Sequence, residues 1–152
     1  MKPLTKLMLV LLLCLAAAAG FSQTLSTPKQ KIFANYPNTI NCSASEFSNA
    51  FNATEGQHII LAFSDNFKFA GTVISNVVKY SNLQSITIKS DESANTIFHL
   101  SRQINQDNTI SFVGRILNSN AADGYEIKRD IAGNYKFEKL DAEKVLQDCG
   151  HL

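Results

Sequence analysis

Three histidines and a group of acidic residues are the side chains of this sequence that could carry chemistry. Imidazole nitrogens bind zinc and move protons near neutral pH, and carboxylates act as general acids, bases or nucleophiles. The histidines are His58, His99 and His151. The acids in polar stretches between apolar segments are Asp65, Asp91, Glu92, Asp107 and Asp123.

The spacing of these residues matches no familiar catalytic or metal site. His58 and His99 lie among apolar neighbours, and His151 has no accompanying ligand pattern. Each acid falls in a predicted turn, where short acidic side chains bond their own backbone. The sequence also has no G-x-S-x-G, S-x-x-K, phosphate-loop, dinucleotide or calcium-loop motif. We therefore predict no catalytic, cofactor-binding or metal-binding residue.

A small secreted hydrolase is the alternative that this sequence leaves open. Its site would form only in three dimensions, for instance from Asp65, Asp107 and Asp123 with His99. Such a site requires a histidine and a carboxylate within hydrogen-bond reach in one concave pocket.

The first 22 residues have the three parts of a secretory signal peptide. Lys2 and Lys6 precede an uninterrupted apolar run over residues 7–19, and small residues follow it up to Ser22. This run is shorter than the ~20 residues that a membrane-spanning helix needs. We place cleavage after Ser22 and predict an exported, periplasmic or extracellular protein. The ending Gly20-Phe21-Ser22-Gln23 resembles leaders of small secreted proteins of Bacteroidetes, which implies an export route and no particular activity.

Export determines how the cysteines are interpreted. Cys14 leaves with the leader, so Cys42 and Cys149 remain in an oxidising compartment, where a disulfide between them is expected. A redox pair or metal ligands are the alternative, but no Cys-x-x-Cys occurs and only His151 lies close to Cys149 in sequence. A bridge would close a loop of over a hundred residues and contribute ~4–5 kcal/mol in the chain-entropy model.

The composition excludes several function classes. The chain is 45% hydrophobic and 18% charged, which is typical of one folded soluble domain and not of a disordered chain. Without Lys2 and Lys6, 12 basic residues face 13 acidic ones, so the mature net charge is −1. Such a charge argues against nucleic acid and against an anionic membrane as partners after signal cleavage.

Residues 57–140 read as consecutive β-strands separated by turns about every dozen residues. We predict a mostly β domain over residues 42–152, a single small antiparallel barrel or sandwich of about seven strands with a short helix at each end. Ser43 and Glu46 form a capping-box pattern for the first helix, and Asp141 is a suitable cap for the last. Residues 23–41 are predicted to be a polar lead-in. The strand over residues 57–63 has no polar face, so both of its faces are expected to be covered.

The last hairpin allows a register to be predicted. A symmetric turn over residues 131–133 pairs Ile127 with Phe137, and the aromatic residues of both strands then share a face. The opposite face places Lys128 against Lys136, a like-charged pair that costs a little in free energy. That face is therefore expected to be solvated.

These features predict an exported, non-catalytic binding or structural domain. Its partner would be a protein, a glycan or a small apolar ligand. A cavity-bearing barrel would hold the small ligand, whereas the loop over residues 118–124 could present itself to a protein or a glycan.

Overall fold

A computed structural model describes residues 29–147, which form one antiparallel sheet and two short helices. The elements are β1 (Thr39–Cys42), α1 (Ala44–Ala50), β2 (His58–Ser64), β3 (Phe67–Tyr80), β4 (Leu83–Ser90), β5 (Thr96–Ile104), β6 (Ile110–Asn118), β7 (Asp123–Arg129), β8 (Tyr135–Asp141) and α2 (Ala142–Gln147). Neither helix of the described region is long and apolar enough to cross a membrane. The predicted leader, residues 1–22, lies outside the described residues, so its prediction stays untested.

The eight strands are ordered β1-β8-β7-β6-β5-β4-β3-β2. The two edge strands approach each other with Cα atoms within 8 Å, so the sheet curls into a nearly closed barrel. The mostly β, single antiparallel architecture is confirmed, with eight strands instead of about seven. Because every neighbour is antiparallel, successive turns alternate between two ends of the barrel, which we call the helix end (where α1 lies) and the arm end (where residues 29–38 lie).

The additional strand is β1, which lies inside the predicted polar lead-in. Thr39 and Asn41 face solvent, and only Ile40 is fully buried, so the segment carries too little apolar character to predict a strand. Its backbone pairs with β8, with Ile40 opposite Phe137. The sheet partner therefore determines this strand.

Aromatic side chains fill the barrel. Phe47 of α1 is fully buried and closes the helix end, with its ring 5.5–5.8 Å from four other rings. The remaining buried aromatic side chains are Phe33, Phe51, Phe63, Phe67, Phe69, Phe98, Phe112, Tyr125, Tyr135 and Phe137. Aromatic groups bury large areas and form favourable edge-to-face pairs, so they supply much of the stability of a small domain.

Two glycines allow neighbouring strands to approach closely. A Cβ on Gly114 would lie 2.6 Å from the carbonyl oxygen of His99, and one on Gly71 would collide with the carbonyl oxygen of Lys89. Register shifts occur nearby, between Ala62 and Ser64 and between Val73 and Ser75, and such bulges help a sheet to curve.

Two local predictions were wrong. The outer face of β2 is not covered, since Ile60 is 61% exposed, while Leu61 and Phe63 point into the barrel. The Glu46 carboxylate does not reach back to its own helix cap; it accepts a hydrogen bond from the Ala62 amide at 3.3 Å. Glu46 therefore links α1 to the free edge of β2, where the barrel is open.

Candidate interaction surface

The outward-facing residues of β3–β6 form a regular grid across four strands. One row is Val77, Ser85, Ser101 and Val113; the next is Ser75, Thr87, His99 and Arg115; the third is Thr72, Lys89, Ile97 and Leu117. We call these twelve residues, together with the bulged Ile74, the outer wall. None of them is acidic.

The outer wall exposes large apolar side chains. Ile74, Val77, Ile97 and Val113 are 46%, 49%, 42% and 62% exposed. A groove of about 430 Å³ runs along its arm end and is lined by Ile74, Ile97, Leu117 and, from α2, Ala142. Ile74, Ile97 and Leu117 lie together in this groove, and contiguous exposed apolar surface on a folded domain marks a binding site more often than single exposed residues do.

The polar side chains of the outer wall satisfy one another. The hydroxyls of Ser85 and Ser101 lie 2.8 Å apart, and Thr87 Oγ1 lies 3.0 Å from His99 Nδ1. These hydrogen bonds run across β4 and β5 in the plane of the sheet. A partner that covers the centre of the wall meets two side-chain pairs that are already made, but it must supply a hydrogen bond to Nε2 of His99, because only Nδ1 is bonded to Thr87.

The charged residues on the outer wall are basic, and the carboxylate of Asp91 lies beside the wall, bound to Thr72 and His58. Lys89 lies on the wall, and Lys79 follows Val78 at the helix end of β3. Arg115 is held by Glu126 of β7 at 2.7 Å. Burial and the charge of Lys79 lower the pKa of His99 below its ordinary value, so this imidazole is neutral at pH 7.

The opposite side of the barrel differs in character. On β7, Glu126 accepts hydrogen bonds from Lys128 and Arg115, and on β8, Lys136 lies 2.6 Å from Glu138. Burial alone would raise the pKa of Glu126, but these two cations outweigh it and lower the pKa. This charged, internally paired surface is typical of a solvated face.

The barrel interior offers little room for a ligand, because the aromatic side chains occupy it. The larger grooves of the described residues open to solvent. One of them, with a volume of about 580 Å³, lies between the arm and the end of β8 and includes Lys31, Asp123 and Lys139. A small apolar ligand would therefore have to bind on the outer surface.

The structure does not bring together the residues of the predicted hydrolase site. Asp65 and Asp123 lie at the arm end, whereas Asp107 lies in the β5–β6 turn at the helix end. His99 is bonded to Thr87 on the outer wall. The Asp107 carboxylate accepts hydrogen bonds from the hydroxyl and amide of Thr109, which lower its pKa, so this acid is a turn former.

One histidine does meet a carboxylate. His58 Nε2 lies 2.8 Å from Asp91 Oδ2, and Thr72 Oγ1 donates to the other oxygen at 3.2 Å. The His58 and Asp91 side chains are 55% and 41% exposed on the convex side of the sheet. His151 lies outside the described residues. Within residues 29–147, no three His, Cys, Asp or Glu side chains are grouped as metal ligands.

Asp123 holds the N-terminal arm, residues 29–38, against the barrel. Its buried carboxylate accepts hydrogen bonds from the Ile32 amide at 2.9 Å and the Phe33 amide at 3.1 Å. Tyr125 donates from its hydroxyl to the Pro37 carbonyl at 2.5 Å, and burial raises its pKa to about 12, with the charge of Asp123 adding to the shift.

The arm covers part of the loop over residues 118–124, whose Ala121, Asp123 and Gly124 are buried. That loop is less accessible than predicted.

Cys42 is a free thiol among the described residues, and its predicted partner Cys149 lies outside them. Burial raises the pKa of Cys42 to about 11, and its Sγ donates to the Ile40 carbonyl at 3.2 Å. A thiol with a raised pKa is a poor nucleophile at neutral pH. This environment favours a structural role over a redox role.

In comparisons with known proteins, no protein-family model, curated protein or solved structure matches this chain.

The outer wall was not predicted from the sequence. The strand pattern correctly places Phe98 and Phe112 inside, and it leaves Ile97 and Val113 at positions where a solvated strand would carry polar side chains. Apolar residues at outward positions of adjacent strands were the available signal.

Proposed function

We propose that this protein is an exported domain without catalytic activity that binds another protein through its outer wall. The observation that supports the proposal is a sheet face with four exposed aliphatic side chains and no acidic one, whose central polar groups are already hydrogen-bonded. The charged face on β7 and β8 lacks such side chains and pairs its own charges.

Physical chemistry favours this surface over the other candidates. Covering the exposed aliphatic groups gains ~25 cal/mol for each Å² of apolar area removed from water. The wall lies on paired central strands, so it is rigid and loses little conformational entropy on binding. The His58–Asp91 pair is exposed to solvent on the convex side of the sheet, whereas a catalytic pair is expected in a concave pocket.

Export and a Cys42–Cys149 disulfide remain part of the proposal. The leader pattern supports export, and the half-buried position of Cys42 supports a structural thiol. The pairing of β1 with β8 limits how the Cys42–Cys149 disulfide can form. Cys42 lies opposite Tyr135 at one end of β8, whereas α2 begins after Asp141 at the other end, ~20 Å away. The chain after Asp141 must run back along almost the whole of β8 for the bridge to form.

Site-specific photo-crosslinking in the producing cells tests the proposed surface. A photoreactive benzoylphenylalanine replaces Val113 on the outer wall in one variant and Lys128 on β7 in a matched control, since both positions face outward. We expect a protein adduct of defined mass from position 113 and at most a trace of it from position 128. Equal labelling from both positions, or none from 113, would contradict the assignment.

A small apolar ligand is the second candidate, and the groove of about 430 Å³ beside Ile97 favours it. Native mass spectrometry of the exported protein distinguishes the two. A bound species of a few hundred daltons that is lost in an Ile97→Lys variant would favour the ligand, provided that position 113 gives no protein adduct.

A further inference from the structure

We propose that the partner surface is apolar at its centre and acidic at its rim, with the acidic groups facing the β3–β4 half of the outer wall. This inference rests on the proposed function and specifies the chemistry of the partner. It depends on the distribution of charges around the wall.

The basic groups of this region divide into paired and unpaired ones. Arg115, at the β6 side of the wall, is bound by Glu126. Lys79 and Lys89, on β3 and β4, form no ion pair with any described residue. The two unpaired cations therefore lie on one half of the wall, where the carboxylate of Asp91 is already bound by His58 and by Thr72.

A second copy of this chain is a poor occupant. A second copy carries the same unpaired cations, Lys79 and Lys89, and has no acidic residue on its outer wall to bind those of the first copy. Like charges in a desolvated interface cost several kcal/mol. The wall thus disfavours self-association and favours a different protein that carries carboxylates.

The centre of the wall requires an uncharged partner surface. His99 lies between Thr87 and Arg115 in its row, and the nearby Lys79 helps to keep it neutral. Its Nδ1 is already bonded to Thr87. Aliphatic side chains of the partner can cover the flanking Val77 and Val113, one uncharged polar group can bond Nε2 of His99, and carboxylates at the edge can approach Lys79 and Lys89.

Charge reversal in the crosslinking variant tests the inference. Lys79→Glu and Lys89→Glu are combined in the full exported chain that carries the photoreactive residue at position 113. The matched control combines Lys128→Glu with Lys136→Glu, which also reverses two charges but on the opposite face. We expect the adduct yield to fall about tenfold in the first variant and to change less than about twofold in the control. Raising the salt concentration should reduce the yield of the parent adduct.

The outcomes separate the two proposals. An adduct that forms normally in both double variants would overturn the acidic rim and leave the protein-binding wall intact. Absence of any adduct in the parent would overturn the proposed function itself. An adduct of twice the chain mass would show a second copy as the occupant, and an adduct with lipid would show a membrane surface; either result would overturn the inference.

Discussion

Arg102 lies over the ring of Phe51, with its guanidinium carbon 5.0 Å from the ring centroid. The same guanidinium donates to Gln84 Oε1 at 2.6 Å, and Gln84 in turn donates to Asn76 Oδ1 at 2.8 Å. Asn76 donates to the carbonyls of Phe51 and Ala53, which follow α1. This network ties three strands of the sheet to the helix that closes the barrel.

Replacing Arg102 by glutamine should weaken this link. We expect the free energy of unfolding to fall by about 1–2 kcal/mol, because a cation–π contact and a charged hydrogen bond are lost together. Urea denaturation measures the change. Arg129→Gln is the control, since Arg129, the exposed last residue of β7, lies 5.7 Å from the Tyr135 ring and its replacement should cost less than about 0.5 kcal/mol. Equal losses in the two variants would contradict the network.

Replacing Asp123 by alanine should release the N-terminal arm. The amides of Ile32 and Phe33 would lose their acceptor, and each unsatisfied buried amide costs about 1–3 kcal/mol. We expect lower stability and rapid protease cleavage within residues 29–38. Asp65→Ala, in the exposed β2–β3 turn, should leave that segment protected. A protected arm in the Asp123 variant would show that other contacts suffice to hold it.

His99 should make the protein less stable in mild acid. Its pKa in the folded state lies below the ordinary value of 6.5, so the unfolded chain binds more protons as the pH falls through 6.5. The free energy of unfolding should therefore decrease below about pH 6.5. His99→Gln should remove this part of the decrease when urea midpoints are compared between pH 7.5 and pH 5. The same pH slope in both proteins would exclude His99 as the cause.

The mature exported protein should contain no reactive thiol when it is denatured without reductant. Thiol titration measures this directly, and reduction should then release two thiols, from Cys42 and Cys149. Two reactive thiols before reduction would refute the bridge. Two free thiols would agree with the raised pKa of Cys42, because a thiol that is rarely ionised oxidises slowly in the folded state.

The register of the last hairpin could be predicted because it depends on turn geometry and on the alternation of apolar and polar residues, and both are local properties of the sequence. The structure pairs Ile127 with Phe137 and Lys128 with Lys136, as predicted. The predicted repulsion is offset within each strand, since Lys128 contacts Glu126 and Lys136 contacts Glu138. Residues two apart in a strand share a face, so these contacts were available in the sequence pattern.

Elements that depend on distant partners were not predictable in the same way. β1 is a strand because β8 pairs with it, about a hundred residues later in the chain. The arm is ordered by Asp123, 90 residues away from Phe33. The outer wall exists because three consecutive hairpins bring one outward-facing position of each of four strands into a single row, and that requires the registers of all three strand pairs.

The most direct test of the outer wall compares binding with stability in one variant. Val77→Thr combined with Ile97→Thr keeps β-branched side chains on the strands while removing exposed aliphatic groups. With the photoreactive residue at position 113, we expect about a tenfold loss of the protein adduct and a change of less than about 1 kcal/mol in the free energy of unfolding. An unchanged adduct yield in this stable variant would contradict the claim that the outer wall is the binding surface.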